Sequence, residues 1–143
     1  FLVVRDPRDI LTSFYFSARF SHRKPGQGAD EEREEATDMP PIEEYVLKQG
    51  RKMLPRWQAY ADMIRKDPEL RLFKYEFIID NFEEWMNQVI DHTGLPAKPA
   101  MVQALAQAHV IRPGDHKRKL EQSTIDELNE LYGDIIELFG YEK

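Results

Sequence analysis

Residues 1–13 read FLVVRDPRDILTS, and this stretch decides the fold class. The apolar run from Phe1 to Val4 is typical of a short strand that is buried on both faces of a parallel sheet. After Arg5, Asp6 is placed to cap a helix and Pro7 suits its first turn. The stretch therefore predicts a strand, a tight turn and a helix.

A strand that is buried on both faces needs parallel neighbours. Leu70 to Tyr75 forms the one other convincing strand of the sequence, and we expect it to pair in parallel with the first. Two strands do not complete such a sheet, so we expect further strands upstream. The chain is therefore predicted to be a single partial domain over residues 1–143, a fragment of a larger α/β unit.

Apolar side chains at helical spacing predict three further helices, over residues 42–64, 82–90 and 125–139. Pro55 is expected to kink or split the first of these near Leu54, which would give two helical pieces. Gly94 is placed to end the second. Ser123 or Thr124 is placed to cap the third.

Residues 21–41 differ in composition from the rest of the chain. They contain histidine, lysine, glycine, proline and an acidic run at residues 30–35, with few side chains that could join a core. This composition predicts a flexible loop or lid. Substrate pockets are commonly built by such variable loops, so we expect a substrate pocket between Phe20 and Ile42, and the substrate itself is not specified by the sequence.

Composition excludes several classes of function. The net charge is −6 and no polybasic segment is present, so general binding to nucleic acid or to an anionic membrane is not expected. No apolar run approaches the length of a membrane span. The chain has no cysteine, which excludes thiolate chemistry and is consistent with a cytoplasmic protein.

The four histidines indicate no metal site. His22, His92, His109 and His116 lack the spacing of zinc ligands. We therefore expect them to be ordinary surface or helix residues, and we expect no metal.

Arg5 is the first candidate for a binding residue, because it stands where a buried parallel strand ends and a helix begins. Ligands of open α/β sheets bind at this edge, and helix N-termini favour anions. Ser13 shares a helical column with Asp9, so its hydroxyl is placed to assist. In the alternative interpretation, Arg5 forms a structural salt bridge with Asp6 or Asp9.

Residues 4–13, VRDPRDILTS, closely resemble the segment that binds the 3′-phosphate of 3′-phosphoadenosine 5′-phosphosulfate (PAPS) in the sulfotransferase family. The family's segment runs valine, arginine, aspartate or asparagine, proline, a basic residue and aspartate, with a serine eight positions after the arginine. The spacing from Arg5 to Ser13 matches it without a gap. The resemblance implies a three-layer, P-loop-like sulfotransferase fold with a parallel sheet, of which this chain would be the helix-rich C-terminal portion. It also assigns Arg5 and Ser13 to the 3′-phosphate.

Two later segments agree in order and distance. Residues 74–76, KYE, and residues 93–96, TGLP, resemble the family's tyrosine-glutamate segment and the end of its following helix, which implies that Tyr75 lies near the adenine. The alternative is an aromatic side chain packed at a strand end. Residues 112–117, RPGDHK, resemble the family's late basic loop, with His116 in place of its tryptophan.

In this loop, the candidates for nucleotide contact are Arg112, Gly114 and Lys117, with Arg112 favoured over Lys117 for the 3′-phosphate. The alternative is a solvated basic loop.

The resemblance implies that a sulfuryl group is transferred from PAPS to a hydroxyl or amine, with this segment binding the nucleotide. The family's glycine-rich phosphosulfate loop and its histidine base both precede the segment resembled by residues 4–13. No catalytic residue is therefore assigned here, and the 143 residues by themselves are expected to be inactive. The alternatives are a non-catalytic helical interaction domain on the same scaffold, or a P-loop kinase.

Overall fold

The computed structural model describes residues 1–20, 38–94 and 114–143, which group into two compact units. Of these residues, the first unit contains 1–5 and 69–94, and the second contains 6–20, 38–68 and 114–143. Most of the predicted loop over residues 21–41 lies outside the described residues, as does Arg112.

The first unit contains a two-stranded parallel sheet. Strand β1 spans Leu2–Val4 and strand β2 spans Leu72–Lys74. Leu2 is opposite Leu72 and Val4 is opposite Lys74 in the register. The predicted parallel pairing is therefore confirmed, and the chain is a helix-rich α/β structure with a small parallel sheet.

Two helices follow β2 in this unit. Helix α3 spans Tyr75–Asp80 and helix α4 spans Phe82–Thr93, and α4 ends at Gly94 as predicted. The buried Phe73 ring is surrounded by other aromatic rings, which lie 6.2 to 6.5 Å away between centroids and belong to Phe1, Phe77 and Trp85. These rings form the apolar centre of the unit around β2.

The second unit is helical. Its elements are α1 over Pro7–Phe20, α2 over Ile42–Lys66, α5 over Asp115–Lys119 and α6 over Gln122–Leu138. Helix α2 packs along α6, and α1 contacts α2, α5 and α6. Its core is formed mainly by side chains that are at most 8% exposed: Leu11, Val46, Trp57, Ile125, Leu128, Tyr132, Ile136 and Phe139.

Helix α1 begins as the sequence predicts. Asp6 lies just before Pro7, and its Oδ1 accepts a hydrogen bond of 2.9 Å from the backbone N–H of Arg8. This bond satisfies one of the N–H groups that a helix leaves free at its start. The predicted cap is confirmed.

The prediction of two helical pieces around Pro55 is wrong, because α2 continues through this residue to Lys66. Pro55 cannot donate to the carbonyl of Arg51, but both residues are exposed, so water can reach this side of the helix. Val46 and Trp57 are buried on either side of the proline. Their packing holds the two halves in one helix against the loss of a single hydrogen bond.

The predicted cap of α6 is also wrong. The helix begins at Gln122, with Glu121 at the capping position and no side-chain cap. Thr124 is buried inside the first turn, and its N–H donates to the carbonyl of Glu121 at 3.1 Å. Burial of Thr124 in the core therefore outweighs its capping preference.

Among the described residues, none of the helices combines the length and the apolar character that a membrane span requires.

Candidate functional site

The first unit brings Arg5 and Tyr75 together. Arg5 directly follows β1 and Tyr75 directly follows β2, so both lie at the carboxyl ends of paired parallel strands. The Cζ atom of Arg5 lies over the Tyr75 ring, 4.9 Å from its centroid. This distance is within the range of a cation–π interaction. Arg5 and Tyr75 are neighbours because each directly follows one of the paired residues Val4 and Lys74.

Two donor atoms of the Arg5 guanidinium have no hydrogen-bond partner. Its Nε and Nη2 atoms are buried and unpaired in the part of the chain that the structure describes. A buried donor without an acceptor costs about 1–3 kcal/mol, and more when it is charged. Asp6 and Asp9, the carboxylates considered as structural partners of Arg5, are bonded to Arg8 and to His116 respectively.

Arg8 forms a buried network in the second unit. It is 2% exposed, and its Nε and Nη2 atoms donate to the two carboxylate oxygens of Asp6 at 2.9 and 2.6 Å. Nη1 donates to Oδ1 of Asn129 at 2.7 Å, and Nη2 also donates to the backbone carbonyl of Glu142 at 2.6 Å. The guanidinium thus joins the start of α1 to α6 and to the segment after it.

Asp9 accepts hydrogen bonds from the start of α5. The backbone N–H of Gly114 donates to Oδ2 at 2.5 Å, and the backbone N–H of His116 donates to Oδ1 at 3.0 Å. The Nδ1 atom of His116 lies 2.5 Å from the same Oδ1. Burial alone would raise the pKa of Asp9, but these hydrogen bonds outweigh it and lower the pKa to about 2.

His116 is more than an ordinary helix residue, so the prediction made for it is wrong. It lies on α5 but is only 2% exposed, and it is held by Asp9. Its Nε2 atom is buried without a hydrogen-bond partner among the described residues and lies 4.0 Å from Oδ2 of Asp6. By contrast, His92 is exposed on α4 as predicted, and His22 and His109 lie outside the described residues.

The other sequence-predicted residues belong to the second unit. Ser13 is half-buried on α1, one turn after Asp9. Gly114 has a φ of 85°, a conformation that glycine adopts without strain, and its N–H is directed at Asp9. Lys117 is exposed on α5. Gly114 is therefore fixed by Asp9, while Lys117 projects into solvent.

No group of three or more histidine, aspartate or glutamate side chains that could hold a metal ion occurs within residues 1–20, 38–94 and 114–143.

Comparison with protein families identifies the chain. A family model described as Sulfotransferase domain matches residues 1–132. The chain belongs to the sulfotransferase domain family. No curated protein and no solved structure matches it significantly. The match of this sulfotransferase-family chain includes every residue assigned above to nucleotide binding, from Arg5 to Lys117.

Proposed function

We propose that this sulfotransferase-family chain binds the nucleotide of PAPS, in a protein that transfers the sulfuryl group to a hydroxyl or amine acceptor. In this proposal Arg5 binds the 3′-phosphate. The parent fold is the three-layer, P-loop-like sulfotransferase fold, and these residues form its C-terminal, nucleotide-binding portion.

The unpaired guanidinium of Arg5 is the observation that carries the proposal. Nε and Nη2 form one edge of the guanidinium, and both are buried without a partner among the described residues. A guanidinium edge matches two oxygens of a phosphate in a bidentate contact. A phosphate bound to this edge would supply the acceptors that the two buried donors lack. The position at the end of a parallel strand is also where α/β proteins bind nucleotides.

In the transfer itself, the acceptor oxygen or nitrogen attacks the sulfur of PAPS. The bond between this sulfur and the bridging phosphate oxygen breaks, and adenosine 3′,5′-bisphosphate leaves. Arg5 contributes to this step by positioning the nucleotide, not by forming or breaking bonds. The acceptor proton passes to a base that is not among the residues assigned here.

The remaining assignments rest on the family pattern. It assigns Ser13 and Arg112 to the 3′-phosphate and places Gly114 and Lys117 in the late basic loop that binds the nucleotide. The family's glycine-rich lysine-serine or lysine-threonine turn does not occur within the 143 residues. We therefore expect these residues to bind nucleotide without transferring the sulfuryl group by themselves.

Arg5→Ala tests the proposal in the complete natural polypeptide. Charge-assisted hydrogen bonds contribute about 1.5–3 kcal/mol each. We therefore expect the variant to bind adenosine 3′,5′-bisphosphate about 10- to 100-fold more weakly in calorimetric titrations. Binding of adenosine 5′-phosphate, which lacks the 3′-phosphate, should change far less.

Arg71→Ala is the matched control, because Arg71 is an exposed arginine of the same unit at the other end of β2. It should leave the binding of both nucleotides unchanged. If Arg5→Ala weakens both nucleotides equally and lowers the melting temperature, Arg5 has a structural role and the proposal is wrong.

A further inference from the structure

Tyr75 has a neighbour that the family resemblance does not imply. The resemblance places this side chain near the adenine, whereas in the structure the face of its ring lies against the Arg5 guanidinium at 4.9 Å. Tyr75 is half-buried and is the first residue of α3, so its backbone is fixed by both β2 and the helix. The ring is therefore held beside Arg5 by the fold itself.

A ring face holds a cation in a way that a carboxylate does not. The attraction acts between the positive charge and the ring quadrupole and is strongest for desolvated groups. It uses none of the N–H donors in conventional hydrogen bonds. This agrees with the state of Arg5, whose Nε and Nη2 are buried and have no hydrogen-bond partner among the described residues. The side chain can thus be held in place while its donor edge stays available.

We propose that Tyr75 is a positioning residue for Arg5: its ring fixes the guanidinium so that the Nε and Nη2 edge is preorganised for a terminal phosphate group. The inference rests on the proposed function and adds to it a determinant of specificity. Tyr75 would then favour nucleotides that carry a 3′-phosphate over those that lack it. A direct adenine contact would favour both kinds equally.

Tyr75→Leu and Tyr75→Phe separate the two roles in the complete natural polypeptide. With adenosine 3′,5′-bisphosphate as the probe, Tyr75→Leu should weaken binding about 5- to 30-fold, because the partly desolvated cation–π contact that holds Arg5 is lost. With adenosine 5′-phosphate, the same variant should bind almost as well as the wild type. Tyr75→Phe keeps the ring face and should retain the affinity for both nucleotides.

A second experiment changes the electrostatics of the ring with little change in side-chain size. Phenylalanine analogues with increasing numbers of fluorine atoms are incorporated at position 75, which weakens the ring quadrupole stepwise. Affinity for adenosine 3′,5′-bisphosphate should fall stepwise with it, and affinity for adenosine 5′-phosphate should stay constant. In the Arg5→Ala background, Tyr75→Leu should have no further effect on either nucleotide.

The outcomes distinguish the inference from the proposed function. If Tyr75→Leu weakens both nucleotides equally while Arg5→Ala affects only the bisphosphate, Tyr75 contacts the adenine and the inference is wrong, but the proposed function stands. A fluorine series without any trend would also contradict the inference. If the wild type binds both nucleotides with equal affinity, the proposed function fails and the inference fails with it.

Discussion

The Asp9 carboxylate and the His116 imidazole form a buried pair across 107 residues of sequence, with Oδ1 2.5 Å from Nδ1. An ionised carboxylate only accepts hydrogen bonds, so Nδ1 carries the proton that is shared with Asp9. The backbone N–H groups of Gly114 and His116 donate to the same carboxylate. These hydrogen bonds hold the first turn of α1 against the start of α5. The family pattern places basic nucleotide contacts in this segment.

The lowered pKa of Asp9 makes the stability of the second unit depend on pH. Its pKa is lowered from 3.8 to about 2, since burial, which would raise it, is outweighed by hydrogen bonds from His116 and Gly114. A carboxyl group with a lowered pKa in the folded state stabilises that state above the unfolded pKa, and this stability is lost as pH falls toward 2. We expect the free energy of unfolding to fall by about 2 kcal/mol between pH 5 and pH 2 through this carboxyl group. Urea unfolding of the chain at several pH values measures it.

Asp9→Asn should lack this acid-dependent component and should already be less stable at neutral pH. Asp62→Asn is the control, because Asp62 is exposed and pairs with Arg65 at 3.4 Å on the surface of α2. Its pH profile should follow that of the wild type. Parallel profiles for Asp9→Asn and the wild type would show that Asp9 does not stabilise the fold through its charge.

Gly50 lies where α2 and α6 are tightly packed. A Cβ atom there would lie 3.0 Å from the Tyr132 hydroxyl oxygen and 3.3 Å from Cδ2 of Leu128. The same hydroxyl donates a hydrogen bond to the backbone carbonyl of Gly50. Gly50→Ala gains about 1 kcal/mol of helix propensity. Crowding of a packed core costs about 1–3 kcal/mol. We expect this cost to exceed the gain in helix propensity, so that the variant unfolds at a lower urea concentration than the wild type.

Gly133→Ala on α6 is the matched control for Gly50→Ala. Among the described residues, a Cβ at Gly133 would meet the end of the Lys143 side chain at 3.1 Å, and this flexible, partly exposed side chain can move aside. This variant should be neutral or slightly stabilising. Tyr132→Phe should reduce the cost of Gly50→Ala because it removes the nearest atom. A Gly50→Ala variant as stable as Gly133→Ala would contradict the close approach.

Local patterns in the sequence predicted the elements that local chemistry fixes. The apolar runs predicted two strands and their parallel pairing, and Asp6 before Pro7 predicted the start of α1. Gly94 predicted the end of α4. Each of these features depends on residues within one or two turns of one another, or on a general rule for connections between strands.

Features that depend on distant partners could not be predicted in the same way. The helical column of Asp9 and Ser13 indicates a polar face of α1, but it does not indicate that His116 bonds to Asp9 on this face. The sequence spacing of the histidines carries no signal for this partner. The sequence predicts that Pro55 interrupts α2, because proline disfavours the interior of a helix. The packing of Val46 and Trp57 on either side of it cannot be read from the sequence. The structure adds the tertiary contacts that override or explain these local preferences.

Arg8→Lys tests whether the buried network needs the guanidinium itself or only its charge. The fork of Arg8 donates in three directions, to the Asp6 carboxylate, to Oδ1 of Asn129 and to the carbonyl of Glu142. The single ammonium of a lysine cannot span these positions, so at least one buried or partly buried acceptor loses its donor. We expect a loss of about 2–3 kcal/mol in the free energy of unfolding, measured by urea denaturation.

Arg51→Lys separates this geometric effect from the general cost of replacing an arginine by a lysine. Arg51 pairs with Glu127 at 3.6 Å, and both side chains are more than half exposed. An exposed pair of this kind contributes at most about 1 kcal/mol, so the control should unfold at nearly the wild-type urea concentration. Equal stability of the Arg8→Lys and Arg51→Lys variants would mean that charge alone maintains the network. A large loss confined to Arg8→Lys would show that the fork geometry joins α1 to α6.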